Sequence, residues 1–140
     1  EFKGWGDPSG NNKNQANSDT PFQILRAAGV PCQPTATNDP LKRRAALEVP
    51  MKEMCMDGQP RFVVLPKASM IRKGLQGGFC YRRVQKSGEH YTDEPDKNEY
   101  SHPVEALEYA LQGEGEGRSA LRATGKFTKP TQAKVNFSVF

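Results

Sequence analysis

Several features that would place this chain quickly are scarce or missing. Of its 140 residues only 35% are hydrophobic and one is tryptophan, so part of the length is not expected to be core. No apolar run approaches the ~20 residues of a bilayer-crossing helix, which argues against a membrane-spanning role. The first residue is Glu rather than Met, and no charged-then-apolar leader follows. The expectation is therefore a fragment or processed product. Cysteine is sparse: Cys32, Cys55 and Cys80 are odd in number, widely spaced and free of any C-x-x-C pair. That excludes a disulfide framework and a zinc site built on paired thiols, and it fits a reducing cytosol. No internal repeat is visible.

What is present is turn chemistry and unevenly placed charge. There are 13 Gly and 11 Pro, and the formal charge is +4. From Gly113 onward Arg118, Arg122, Lys126, Lys129 and Lys134 face only Glu114 and Glu116, so this stretch holds +3 of that total. A basic tail either leans on phosphate or an acidic protein face, or is simply solvated.

Phe2 to Gly6 has the character of a strand end, broken by Asp7-Pro8-Ser9-Gly10. Thr20-Pro21-Phe22-Gln23 predicts a helix start with a capping box and Pro in the first turn, and Gly29 stops that helix. A short strand is expected at Val30 to Gln33. Asp39 and Pro40 repeat the cap-then-Pro pattern for a helix reaching about Met56, with a kink at Pro50. Arg61 to Leu65, β-branched and aromatic between two prolines, is the clearest strand pattern in the chain. A helical piece is expected around Ala68 to Lys73, an edge strand over Phe79 to Val84, and a charged loop over Ser87 to Glu99. Ser101 or His102 then caps an amphipathic helix, and residues 113–140 follow as a low-complexity basic tail. The alternation of strands and helices predicts an α/β domain over 1–112.

The richest stretch is Glu94 to Tyr109, an acidic loop feeding that last helix. Glu105 lies one turn inside it, and a rigid element holds a carboxylate at fixed depth better than a loop does. Its distant counterpart is Asp7, just after the first strand. Two carboxylates so placed suggest a magnesium site for phosphodiester chemistry. His102 is either a helix-start surface residue or a support to a metal or phosphate. Asp96 is either a solvated loop carboxylate or a neighbour of the site, whereas Asp19 and Asp39 read as turn and cap residues. Lys42-Arg43-Arg44, Arg72-Lys73 and Arg82-Arg83 are solubilising faces or contacts to a phosphate backbone. Tyr81 and Tyr109 read as packing residues rather than base-stacking platforms.

Gly6 to Gly10, Thr20 to Gly29, Asn38 to Pro40, Leu75 to Val84 and Asp96 to Tyr109 together resemble the nuclease domain of tailed-bacteriophage large terminase subunits. The likeness runs in order over roughly residues 3–117. It implies a ribonuclease-H-like fold, Mg²⁺ or Mn²⁺ as cofactor and cutting of concatemeric double-stranded DNA in the cytoplasm of a bacterial host. Portal protein and small terminase subunit are implied partners, and no membrane. The family's acidic trio comes from a first strand, a central strand and a late helix; Asp7 matches the second and Glu105 the third. The first has no counterpart, because the first strands are expected to lie upstream of Glu1. The ATPase signature G-x-x-x-x-G-K-[ST] is also absent. At Glu105 the family more often has Asp, and the extra methylene lengthens reach by ~1.5 Å. The domain is expected to be N-terminally incomplete and inactive by itself. Arg72, Lys73, Arg82 and Arg83 are the expected DNA contacts. The alternative is a non-catalytic DNA-binding or packaging-assembly module.

Overall fold

The computed structural model describes residues 2–13, 19–84 and 90–118, with the side chains of 83, 84, 90, 93 and 94 outside that description. Helices and strands are mixed. Strand β1 (Gly4–Gly6) leads into a 3-10 turn at Pro8–Asn11, then α1 (Pro21–Ala27), β2 (Cys32–Pro34) and α2 (Pro40–Lys52). After a long irregular stretch come α3 (Ser69–Lys73), a π-type extension at Gly74–Gly78, the strands β3 (Tyr81–Val84) and β4 (His90–Pro95), and α4 (Ser101–Gly113). Strands β1 and β2 pair in parallel with Trp5 opposite Gln33, while β3 and β4 form a separate antiparallel pair with an irregularity between Tyr81 and Arg83.

Local chemistry explains the helix starts. Thr20 accepts from the Gln23 backbone N–H at 3.3 Å, and the Gln23 side chain accepts from the Thr20 N–H at 2.7 Å, completing the capping box ahead of α1. Asp39 accepts from the Leu41 N–H at 3.0 Å at the head of α2. Helix α4 differs from expectation, since neither Ser101 nor His102 caps it. Asn98 accepts from the Tyr100 N–H, and the Ser101 hydroxyl turns back to donate to the Asn98 carbonyl at 2.6 Å. Ser101 is buried, so its hydroxyl needs that internal acceptor.

The core lies where α2, α4 and β1 meet, and its buried apolar members are Phe22, Cys32, Ala45, Ala46, Leu47, Val104 and Tyr109. Small residues on α2 allow close approach. Gly117 has φ +74, and a Cβ there would come within 2.8 Å of the Ala46 backbone nitrogen, so only glycine fits both the turn and the gap. Residues 114–118 therefore pack back onto α2, and Gly113, the expected start of the tail, is the last residue of α4. Residues 119–140, and with them Arg122, Lys126, Lys129 and Lys134, lie outside the described residues.

Three further expectations are corrected. Arg61 to Leu65 joins neither sheet: Val63 and Leu65 are exposed, and no described strand lies beside them. Its β propensity has no neighbour to pair with, and the segment instead follows a turn in which Cys55, Gly58 and Arg61 donate backbone hydrogen bonds. Helix α2 ends at Lys52, two residues beyond Pro50, rather than at Met56. Proline removes one helical donor and crowds the preceding turn. The expected loop between Ser87 and Glu99 contains β4, which pairs antiparallel with β3 in a two-stranded ribbon.

Candidate functional site

Asp7 and Glu105 come together on one side-chain network. Asp7 follows β1 and caps the 3-10 turn, its Oδ1 accepting from the Ser9 N–H at 2.8 Å. Its other oxygen, Oδ2, accepts from the Tyr109 hydroxyl at 2.7 Å. That hydroxyl in turn accepts from Arg43 Nη1 at 2.7 Å. The Arg43 guanidinium then reaches two carboxylates of α4, with Nη2 3.8 Å from Glu105 Oε1 and Nε 3.7 Å from Glu108 Oε2. Lys97, ahead of α4, also donates to Glu105 Oε1.

The spacing on α4 makes this possible. Glu105, Glu108 and Tyr109 stand at i, i+3 and i+4, so they share one helical face, and that face packs on α2 where Arg43 sits. The Arg43 and Glu108 side chains are 11% and 5% exposed, which removes most of the solvent that would weaken their attraction. Arg43 Nε is buried and makes no hydrogen bond, since 3.7 Å is ion-pair distance only.

Burial and charge set the protonation states. Burial pushes the Glu108 carboxyl up to about 7; the Glu105 charge adds to this, while Arg43, Arg44 and Lys97 oppose it. Tyr109 is pushed up to about 12 by burial and by the hydrogen bond it donates to Asp7. Burial also acts to raise Asp7, but hydrogen bonds from Ser9 and Tyr109 and the charge of Arg43 outweigh it and hold the carboxyl below its usual range. Asp7 is thus an anion near neutrality, and Tyr109 keeps its proton.

Other expected site residues lie elsewhere. Asp96 does not join Glu105; it pairs with Arg82 at 2.7 Å, so an expected helper and an expected DNA contact neutralise each other. His102 is exposed in the first turn of α4. Arg72 and Lys73 are exposed on α3, free to meet solvent or phosphate. The Arg83 side chain lies outside the described residues. Arg43, expected on a solvated or DNA-facing basic run, instead packs against α4 with its side chain 11% exposed. Arg43, Glu108, Lys97 and the Tyr109 hydroxyl are the members that sequence reasoning missed. The helical spacing from Glu105 to Tyr109 was the available signal.

A divalent ion does not fit this arrangement as it stands. Both Asp7 oxygens accept protein hydrogen bonds, and Glu105 shares Oε1 between Lys97 and Arg43. Among the described residues no group of three or more His, Cys, Asp or Glu side chains is placed to hold a metal. A hollow of about 630 Å³ lies nearby, lined by residues including Trp5, Thr35, Lys42, Gln112 and Arg118, but neither Asp7 nor Glu105 borders it. Cys32 is a buried free thiol, and Cys55 and Cys80 are exposed free thiols. No described helix is long and apolar enough to cross a membrane. No protein-family profile, characterised protein or solved structure matches this chain.

Proposed function

We propose that this chain belongs to the nuclease domain of a terminase-type large subunit, with a ribonuclease-H-like fold that cuts concatemeric double-stranded DNA in a bacterial host during phage DNA packaging. The single observation that carries this reading is the Asp7–Tyr109–Arg43–Glu105 connection. The two carboxylates matched to the family's acidic positions are far apart in sequence and belong to one network. Mg²⁺ or Mn²⁺ is the cofactor the resemblance implies, although Asp7 and Glu105, at the two matched positions, are held by protein donors here. Two-metal hydrolysis needs carboxylates that both bind and bridge ions ~4 Å apart. The family's first acidic position is unmatched here, so the 140-residue chain is expected to cleave DNA poorly or not at all. Exposed Arg72 and Lys73 are proposed phosphate contacts, with Arg82 available only if it leaves Asp96; portal protein and the small subunit are proposed partners.

The test is thermal unfolding during a Mn²⁺ titration carried into the millimolar range. A midpoint that rises in the wild type and not in Glu105→Ala supports the metal-site reading. A midpoint that never moves favours a second reading, a non-catalytic DNA-binding or assembly module. One observation favours that alternative: protein groups already satisfy Asp7 and neutralise Glu105, as expected of carboxylates that serve folding.

A further inference from the structure

We infer that the hollow of about 630 Å³ where β2, α2 and the end of α4 meet is a binding site for a nucleoside monophosphate. Its volume falls within the ~300–1,000 Å³ of ordinary small-molecule sites. Neither Asp7 nor Glu105 borders it, so the inference stands apart from the nuclease reading. The lining combines an aromatic ring, Trp5, with two cations, Lys42 and Arg118, and with the polar side chains of Thr37 and Gln112. A flat base suits the first and a phosphate the second.

The ring is held ready. Trp5 Nε1 donates to Glu114 at 2.8 Å, and Gly113 packs against the indole so closely that no Cβ would fit there. An aromatic ring fixed in advance loses little freedom when a base stacks on it. The cations are available. Arg118 is exposed and has no acidic partner among the described residues. Lys42 stands 3.8 Å from Asp39, beyond a charge-assisted hydrogen bond, with its side chain 49% exposed. Glu116, the carboxylate of the lining, is already held by Arg61 Nη2 at 2.7 Å, so it does not cancel these charges. Thr37 Oγ1 accepts from the Asp39 N–H at 3.1 Å, which leaves its O–H to donate. Gln112 Oε1 is buried with no hydrogen-bond partner, a standing cost that a guest's amine or hydroxyl would offset. Two cations select the phosphate monoester, which carries about −1.5 to −2 charge at neutral pH, over a singly charged group.

The experiment titrates the full chain with AMP and follows it by ¹⁵N–¹H NMR, in which Trp5, the only tryptophan, gives a single indole signal. AMP should shift that signal saturably. Adenosine, which lacks the charge, and ribose 5-phosphate, which lacks the base, should each bind roughly tenfold or more weakly. Arg118→Gln and Lys42→Gln should each weaken AMP by a similar factor; both side chains are exposed, and an otherwise unchanged spectrum shows that the variants fold. Arg72→Gln, which removes an exposed cation outside the lining, should bind AMP as the wild type does. The dinucleotide ApA, whose only phosphate is a diester, should bind more weakly than AMP. Equal affinity for ApA would give the hollow to a nucleic-acid strand and overturn the monoester assignment. No saturable shift, equal affinity for adenosine and AMP, or an equal loss in Arg72→Gln and Arg118→Gln would overturn the inference altogether.

Discussion

Arg43 and Arg61 each stand between two glutamates, yet they are held in different surroundings. Arg43 faces Glu105 and Glu108 between packed helices and is 11% exposed. Arg61 faces Glu53 and Glu116 at the surface and is 40% exposed. The contacts of Arg61 are the shorter ones, with Nη2 2.7 Å from Glu116, but water competes for every charge there and the side chains give up rotamer freedom to meet. Around Arg43 the distances are longer, but the charges have little water to fall back on. Solvent exclusion, more than separation, decides which arginine matters to the fold.

Removing each arginine sets the two clusters against each other. Arg43→Ala leaves Glu105 and Glu108 facing each other with one cation fewer, and breaking a buried pair in this way costs ~3–5 kcal/mol. Urea unfolding should therefore show a large fall in midpoint, and a negligible fall would break the comparison at its strong end. Arg61→Gln, by the same protocol, belongs at the other end and should leave the midpoint nearly unchanged.

Between these extremes lies the question of how far the ordered unit extends. Gly117→Ala places a side chain at positive φ against the α2 backbone and should cost roughly 1–3 kcal/mol. A neutral effect in the same unfolding experiment would separate residues 114–118 from the fold and leave Glu116 a weaker partner for Arg61.

The third effect is a pH dependence. Glu108 has a carboxyl raised from 4.5 to about 7, so between those values the folded chain holds a proton that the unfolded chain has lost. Stability attributable to Glu108 is therefore full below the lower value and declines as pH rises toward 7. Asp7 runs the other way, because a lowered carboxyl gives stability that is present above its usual range and lost as pH falls through the folded value. Glu108→Gln should flatten the neutral-side decline, a change of roughly 2 kcal/mol between pH 5 and 8. Parallel curves for wild type and variant would show that Glu108 is better solvated than its packing indicates.

Features governed by neighbouring residues were legible in the sequence. Thr20, Pro21 and Gln23 specify a helix start among themselves, as do Asp39 and Pro40, and both starts occur where expected. Asp7 and Glu105 were expected to share a metal-holding cavity; they are joined instead through Tyr109 and Arg43. Features decided by distant contacts were not legible. Arg61 to Leu65 has strand composition, but a strand needs an edge to pair with, and composition does not report one. Arg43 sits in a run of three cations beside exposed Lys42, and only the docking of α4 on α2 distinguishes it. Tyr109 reads as packing and does pack, while its hydroxyl, invisible to hydrophobic periodicity, links the two halves of the site.

That hydroxyl joins the end of β1 to α4. A double-mutant cycle between Asp7→Asn and Tyr109→Phe, read by urea unfolding at pH 7, measures the link directly. The network predicts a coupling of about 1 kcal/mol or more, the scale of a hydrogen bond to a charged group. Effects that add to within ~0.3 kcal/mol would mean that Asp7 and the face bearing Glu105 are not connected.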